Sequence, residues 1–142
     1  MPIVVESIHS ATYQDQQDLQ KIYYDAPLQL FSPFTNAQSL IEYGLTDNCL
    51  IAARFNDRLL GAAFVQRNNP VWLLSHLCVR KLTRRRGVAE RLVVDAGKLA
   101  RQAGCELRLL APAPSIEVTA LANKLRVPLD VMPPTGFRTG SA

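Results

Sequence analysis

The chain has 142 residues, of which 48% are hydrophobic and 20% charged, and its formal net charge is +4. This is ordinary globular composition, so we expect residues 1–142 to form a single domain, and wholesale disorder is excluded. No apolar run approaches the roughly 20 residues of a membrane span. The N-terminal residues also lack the pattern of a secretory signal. We therefore expect a cytoplasmic protein.

The three cysteines lie far apart, and each sits in an apolar stretch: Cys49, Cys78 and Cys105. No Cys/His spacing typical of a metal site is present, so we expect no bound metal. The pattern predicts buried free thiols in a reducing compartment.

Positive charge is concentrated in the middle of the chain. No acidic residue lies between Asp57 and Glu90, whereas seven basic residues do: Arg58, Arg67, Arg80, Lys81, Arg84, Arg85 and Arg86. Such a window produces a positive field that attracts an anionic partner. On charge alone, nucleic acid, membrane phosphates and a phosphorylated cofactor are all candidates.

The first third of the chain predicts one strand and two helices. The β-branched run at residues 3–5 indicates the strand. The first helix has Thr12 or Asp15 as its N-cap and ends before Pro27. A second, shorter helix has Thr35 as its predicted N-cap.

The middle third predicts three consecutive antiparallel strands. A buried strand at residues 49–55 is followed by a turn at Asn56 and Asp57 and by a partner strand at residues 59–66. After a second turn, residues 71–79 form the third strand.

The last third begins with the best-defined element, an amphipathic helix over residues 87–103 that ends at Gly104. A strand at residues 105–110, a helix capped by Ser115 and a short strand at residues 127–132 follow. The order of elements predicts an α+β fold. Its central sheet is twisted, mixed and mostly antiparallel, with helices on its flanks.

The junction between the predicted strand at residues 71–79 and the long helix at residues 87–103 predicts an anion site. Gly87 and Ala89 carry almost no side chain, so the backbone can approach a ligand closely there. The first N–H groups of the helix lack partners, and the helix dipole favours an anion at that end. Because Arg84, Arg85 and Arg86 stand directly before it, the sequence predicts a pyrophosphate at this helix N-terminus.

This junction resembles the coenzyme A signature of the GNAT acetyltransferase family, Gln/Arg-x-x-Gly-x-Gly/Ala. It stands here as Arg84-Arg85-Arg86-Gly87-Val88-Ala89, after the apolar lead-in Leu77-Cys78-Val79. The family's order of elements also matches from about residue 3 to residue 125. The resemblance implies the GNAT fold and acetyl-CoA as the cofactor.

The resemblance also implies which residues contact the cofactor. The strand around Cys78 would offer the backbone groups of Leu77 and Val79 to the pantetheine arm, and Arg84 would reach a phosphate. The remaining implied contacts are the backbone amides of Arg85, Arg86, Gly87, Val88 and Ala89, the flanking Thr83 and Glu90, and Asn123 on the fourth helix.

Three segments, at residues 15–23, 51–60 and 79–88, are similar to the PanZ branch of the GNAT family, which is also called PanM. That similarity implies a protein that binds acetyl-CoA and promotes maturation of aspartate 1-decarboxylase in pantothenate synthesis.

The groups that acetyl transfer requires are hard to find in the sequence. Many GNAT enzymes use a Tyr on the fourth helix as general acid, and residues 118–125 contain none. His76 is the candidate general base, with an ordinary histidine of a sheet face as the alternative. It should point to the face opposite Leu77 and Val79, together with Cys78. Ser75 and Cys78 are weaker catalytic candidates.

Three functions from different classes remain open at this point. The first is an N-acetyltransferase that acts on a small amine or a protein. The second is a PanZ-like acetyl-CoA sensor that regulates aspartate 1-decarboxylase with little or no turnover. The third, a nucleic-acid-binding module, ranks last because the basic window lacks interleaved aromatic residues. We therefore expect neither nucleic acid nor membrane as a partner.

Overall fold

The computed structural model describes residues 3–24, 26, 34–80, 87–111 and 116–131. Within these ranges no helix is both long and apolar enough to cross a membrane. The elements are, in chain order, β1 (Val4–Ser7), α1 (Tyr13–Tyr24), α2 (Ala37–Thr46), β2 (Leu50–Phe55), β3 (Arg58–Arg67), β4 (Val71–Val79), α3 (Val88–Gln102), β5 (Glu106–Ala111), α4 (Ile116–Leu125) and β6 (Leu129–Val131).

All six strands form one sheet in the order β1-β2-β3-β4-β5-β6. The pairings from β1 to β4 are antiparallel, whereas β5 pairs with β4 and with β6 in parallel. Helices α3 and α4 provide the crossovers that parallel neighbours require. The predicted fold class, a mixed and mostly antiparallel sheet flanked by helices, is confirmed.

The helices cover both faces of the sheet and build two hydrophobic cores. The face under α1 and α2 buries, among others, Leu19, Ile22, Tyr23, Leu40, Ile41, Phe64 and Cys78. The opposite face, under α3 and α4, buries Trp72, Leu74, Val88, Leu92, Val93, Ala96, Leu109 and Ala122. Apolar residues at helical spacing in α1 and α3 explain these contacts, because each helix turns one apolar stripe toward the sheet.

The predicted turn between β2 and β3 is confirmed, and its backbone explains its sequence. Asn56 and Asp57 have φ values of 49° and 66°, in the left-handed region. A two-residue turn with positive φ at both positions matches the twist of a hairpin, and Asn and Asp tolerate that conformation.

Of the predicted helix N-caps, that of α1 is correct and that of α2 is wrong. The Oγ1 atom of Thr12 accepts a hydrogen bond from the backbone N–H of Asp15 at 3.0 Å, so Thr12 is the cap of α1. The prediction of Thr35 for α2 is wrong, because α2 begins one residue later. Its N-cap is Asn36, whose side chain accepts from the N–H of Ser39 at 2.9 Å. Ser115, the predicted cap of α4, lies outside the described residues.

The end of α3 and the last strands agree closely with prediction. Gly104 has φ of 75°, as expected of a glycine that follows a helix. Strand β5 lies one residue later than predicted, and β6 is shorter than the predicted strand at residues 127–132.

The cysteines are free, and two of them are buried as predicted. Burial raises the pKa of Cys49 to about 12, and the charge of Asp47 adds to this effect. The prediction is wrong for Cys105, which is partly exposed because it lies in the connection between α3 and β5.

Candidate functional site

Strand β4 contains a bulge in its middle. Phe64 of β3 pairs with Ser75, and Ala62 pairs with Cys78, so β4 holds one residue more than β3 between these pairs. His76 takes a φ of 53° within this segment. The extra residue shifts the alternation of side chains along the strand.

The shift is visible in the two cores. Trp72 and Leu74 lie on the α3 face before the bulge, and Leu77 and Val79 pack on that same face after it. In a regular strand, residues 74 and 77 would point to opposite faces. The bulge therefore keeps Leu77 and Val79 on the face where α3 begins.

Strands β4 and β5 separate at the bulge. Their parallel pairing runs from Val71 with Glu106 to Leu74 with Leu109, and within the described residues it extends no further. A small cleft that is open to solvent lies at the separation, and its lining consists of Leu74, Ser75, His76, Leu77, Leu109, Leu110, Ala111 and Val118. An extended ligand placed here can meet the backbone edge of β4, as an added strand would.

His76 and Ser75 form the polar part of the cleft lining. The two residues are each 1% exposed, and the Oγ atom of Ser75 lies 2.9 Å from Nδ1 of His76. The imidazole packs beside the rings of Phe64 and Phe34, with ring centroids 4.9 and 5.6 Å away. His76 thus lies on the α1 and α2 face, opposite Leu77, as the sequence predicted.

Helix α1 holds β4 at the bulge through two consecutive residues. The hydroxyl of Tyr23 donates a hydrogen bond of 2.7 Å to the carbonyl oxygen of His76. The thiol of Cys78 donates to the carbonyl of Ile22 at 3.2 Å. Carbonyls in the last turn of a helix lack helical partners, and Cys78 supplies one. The Cys78 thiol is thereby engaged by α1, on the face it was predicted to share with His76.

The N-terminus of α3 begins at Gly87, which takes φ of 79° and contributes no side-chain cap. A Cβ atom built at Gly87 would meet no atom of the described residues within 4 Å, so none of these residues fills the space beside this glycine. The buried side chain of Val88 anchors the first turn against β3, since a Cβ at Gly61 would lie only 2.9 Å from Val88 Cγ1. This combination fits an anion bound by backbone N–H groups.

The other predicted cofactor residues are distributed as follows. Thr83, Arg84, Arg85 and Arg86 lie outside the described residues. Ala89 and Glu90 belong to the first turn of α3, and Glu90 accepts from Lys124 Nζ of α4 at 3.0 Å. The neighbouring Asn123 is exposed on α4. The contact between Glu90 and Lys124 therefore brings the Asn123 segment of α4 near the start of α3.

Two buried acidic residues of α1 were not predicted. Asp15 accepts two hydrogen bonds from the guanidinium of Arg54, at 3.0 and 3.1 Å. Asp18 pairs with Arg58 at 2.7 Å and accepts from the buried N–H of Leu59 at 3.1 Å. Both carboxylates lie at helical spacing beside the apolar stripe of α1. A buried acid requires a basic partner, and the two partners lie 39 and 40 positions away in the β2–β3 hairpin, so the sequence of α1 alone gives no signal of this burial.

These contacts change the proton affinities of Asp18 and Arg54. Burial alone raises the pKa of Asp18, but the hydrogen bonds from Arg58 and Leu59 outweigh it, so the pKa lies below the ordinary value of 3.8. The hydrogen bond to Asp15 raises the pKa of Arg54. The charged forms are therefore the stable forms, and α1 is fixed to the β2–β3 hairpin by ion pairs.

Comparison with protein families gives a match over most of the chain. The family model described as "Acetyltransferase (GNAT) domain, PanZ" matches residues 2–124. Two curated relatives carry the name PanD regulatory factor. The protein of Salmonella typhimurium is 38% identical over 95 residues, and that of Escherichia coli is 36% identical over 96 residues. Each match covers 67% of this chain, and the chain spans 66% of the length of the curated relatives it matches.

Solved structures agree on the fold. A PaiA N-acetyltransferase from Thermoplasma acidophilum, solved in complex with coenzyme A, is similar with a TM-score of 0.65. The similarity covers 88% of this chain and 89% of that chain at 12% sequence identity, which supports a common fold alone.

Proposed function

Because the chain belongs to the PanZ family of GNAT acetyltransferase domains, we propose that it binds acetyl-CoA in the cleft between β4 and β5. The observation that carries the proposal is the separation of β4 from β5 after the Leu74–Leu109 pair, on the strand that leads to α3. A backbone edge without a neighbouring strand and a helix N-terminus that begins with glycine suit an extended arm with a pyrophosphate.

The residues present fit this cofactor. The backbone of Leu77 and Val79 would hold the pantetheine arm, and the amides of Gly87, Val88 and Ala89 would meet the pyrophosphate. The family signature adds Arg84 as the side chain that contacts a phosphate, which suits its planar set of donors. When bound, acetyl-CoA supplies an acetyl group activated as a thioester.

Calorimetric titration with acetyl-CoA tests the proposal. We expect Gly87→Glu to weaken binding at least tenfold, because a carboxylate would stand at the helix end that should receive the pyrophosphate. Gly104→Glu is the matched control. Gly104 also has positive φ and an open approach, but it follows the other end of α3. Absence of heat at high micromolar acetyl-CoA, or equal affinity of the two variants, would contradict the proposal.

For the use of the bound cofactor, we propose regulation of aspartate 1-decarboxylase. The two curated relatives are named for regulation of PanD. In addition, α4 (Ile116–Leu125) lacks the Tyr that many GNAT enzymes use as an acid. The test is cleavage of the decarboxylase proenzyme with this protein, with and without acetyl-CoA. We expect acceleration only when both are present, and an unchanged rate would contradict the regulatory role.

Acetyl transfer to an amine is the second candidate, and the position of His76 favours it. His76 and Ser75 belong to the residues that line the same cleft as Leu77, although the imidazole itself packs against Phe34 and Phe64 on the opposite face of β4. Histidine is the side chain most often used as a general base, so His76 is the candidate for that role. Release of thiol from acetyl-CoA across a panel of amines would support transfer. Loss of that release in His76→Gln, with acetyl-CoA affinity retained, would identify His76 as the base.

A further inference from the structure

The hydroxyl of Tyr23 contacts the backbone of His76, a residue that lines the cleft, although Tyr23 itself is not among the lining residues. Tyr23 is fully buried in α1, and its hydroxyl donates to the carbonyl oxygen of His76 at 2.7 Å. His76 is the bulge residue with φ of 53°. A residue other than glycine in this conformation is strained, so neighbouring contacts must hold it there. The Tyr23 hydroxyl supplies such a contact at the peptide bond between His76 and Leu77.

The peptide group explains how this contact reaches the cleft. The carbonyl of His76 and the N–H of Leu77 belong to one planar trans peptide, so the two bonds point in roughly opposite directions. Fixing the carbonyl toward α1 therefore fixes the direction of the Leu77 N–H. Leu77 lines the cleft directly at the separation of β4 and β5.

The hydroxyl is a permanent donor. Burial raises the pKa of Tyr23 well above 10.0, and the nearby thiols of Cys78 and Cys49 raise it further. The phenol therefore keeps its proton throughout the physiological pH range. The hydroxyl is therefore available as a donor to the His76 carbonyl throughout that range.

We infer that Tyr23 is a positioning residue that aims the Leu77 N–H at the thioester carbonyl of acetyl-CoA, and that it thereby gives the cleft a preference for acetyl-CoA over free CoA. This inference rests on the proposed binding of acetyl-CoA. A fixed N–H donor benefits a ligand with a carbonyl oxygen at that point, and free CoA has none there. Removing the Tyr23 hydroxyl lets the peptide rotate, so the preference falls while the contacts of the pyrophosphate remain.

The test compares Tyr23→Phe with Tyr43→Phe by calorimetric titration with acetyl-CoA and with CoA. The measured quantity is the ratio of the two dissociation constants. Tyr43 is a suitable control because its ring packs against Phe34 and Phe64 in the same cluster, whereas its hydroxyl bonds to Asp47. We expect Tyr23→Phe to reduce the preference for acetyl-CoA about fivefold, the value of one hydrogen bond. We expect Tyr43→Phe to leave the preference unchanged.

The outcomes separate this inference from the proposed function. If neither ligand binds to the unmodified protein, the proposed function fails. If both bind and Tyr23→Phe keeps the original preference, the positioning role is overturned. If Tyr23 had a purely structural role, Tyr23→Phe would weaken the binding of both ligands equally and leave the ratio of their dissociation constants unchanged. That result would also overturn the positioning role.

A measurement on the unmodified sequence covers the case in which Tyr23→Phe does not fold. Protein labelled with 3-fluorotyrosine carries four fluorine signals, one for each tyrosine. The Tyr23 signal is assigned by eliminating the other three with Phe variants of Tyr13, Tyr24 and Tyr43. We expect the Tyr23 signal to differ between the acetyl-CoA and CoA complexes. Identical Tyr23 signals in two saturated complexes would refute the inference.

Discussion

Replacement of Asp18 by Asn tests the ion pair that fixes α1 to the β2–β3 hairpin. Asp18 is fully buried and accepts from Arg58 at 2.7 Å, from Leu59 N at 3.1 Å and from Gln14 at 3.0 Å. Asn has nearly the same shape, so the substitution leaves no cavity. It removes the charge, and it replaces one of the two accepting oxygens with an NH2 group that faces the N–H donors of Arg58, Leu59 or Gln14.

The size of the effect follows from the exposure of the partners. A hydrogen bond to a charged group contributes about 1.5–3 kcal/mol to stability. Arg58 can return to water because its side chain is 45% exposed, whereas the N–H of Leu59 is buried and must keep an acceptor. We therefore expect Asp18→Asn to lower the free energy of unfolding by about 2 kcal/mol at pH 7. In a domain of this size the melting temperature should fall by about 6 °C.

Urea denaturation at several pH values provides the assay. Because the pKa of Asp18 is lower in the folded protein than the ordinary value of 3.8, its stabilising effect is complete above about pH 5 and is lost as the pH falls through the folded pKa. The difference between the parent protein and Asp18→Asn should therefore shrink in acid.

Asp130→Asn is the matched control for this prediction. Asp130 pairs with Arg108 at 2.9 Å, but its side chain is 45% exposed, and exposed pairs contribute little. Equal losses of stability at positions 18 and 130, or a difference for Asp18→Asn that does not depend on pH, would refute the reasoning from burial.

Three further predictions concern the helices and their packing on the sheet. Asn36→Ala should lower the free energy of unfolding by about 1 kcal/mol because it removes the cap of α2, whereas Thr35→Ala should leave it nearly unchanged, and urea midpoints check both. Gly97→Ala should stabilise α3 by about 0.8 kcal/mol, since its Cβ has room at 3.4 Å from Arg101. Gly61→Ala should instead destabilise the protein by about 1–3 kcal/mol, because its Cβ would press on α3, and a stable Gly61→Ala would contradict the tight packing there.

Local patterns were sufficient to predict most of the fold. The apolar stripe of α3 and the Asn56-Asp57 turn each depend on neighbours within a few residues, and both appear as predicted. The Thr35 error is of the same local kind, because Thr35 and Asn36 are both good caps and the sequence alone does not choose between them.

The candidate site was predicted only in part because its geometry depends on contacts between distant segments. The glycine at the start of α3 is a local signal and was found. The pairing of Asp18 with Arg58 joins residues 40 positions apart, and the two side chains become partners only when α1 lies on the β2–β3 hairpin. Asp18 therefore resembles a solvent-facing residue in the sequence, although it is buried in the folded protein.

The bulge of β4 positions the residues of the cleft, but the sequence does not predict it. The side chains of His76 and Leu77 alternate as they would in a regular strand, so the prediction of their faces was correct without any knowledge of the bulge. The extra residue becomes visible only in relation to Leu74, which shares a face with Leu77 across an odd spacing. Tyr23 reaches His76 across 53 positions at this same point. A change in α1 that leaves the motif at Gly87 intact should therefore still alter the cleft, whereas the motif alone predicts no such dependence.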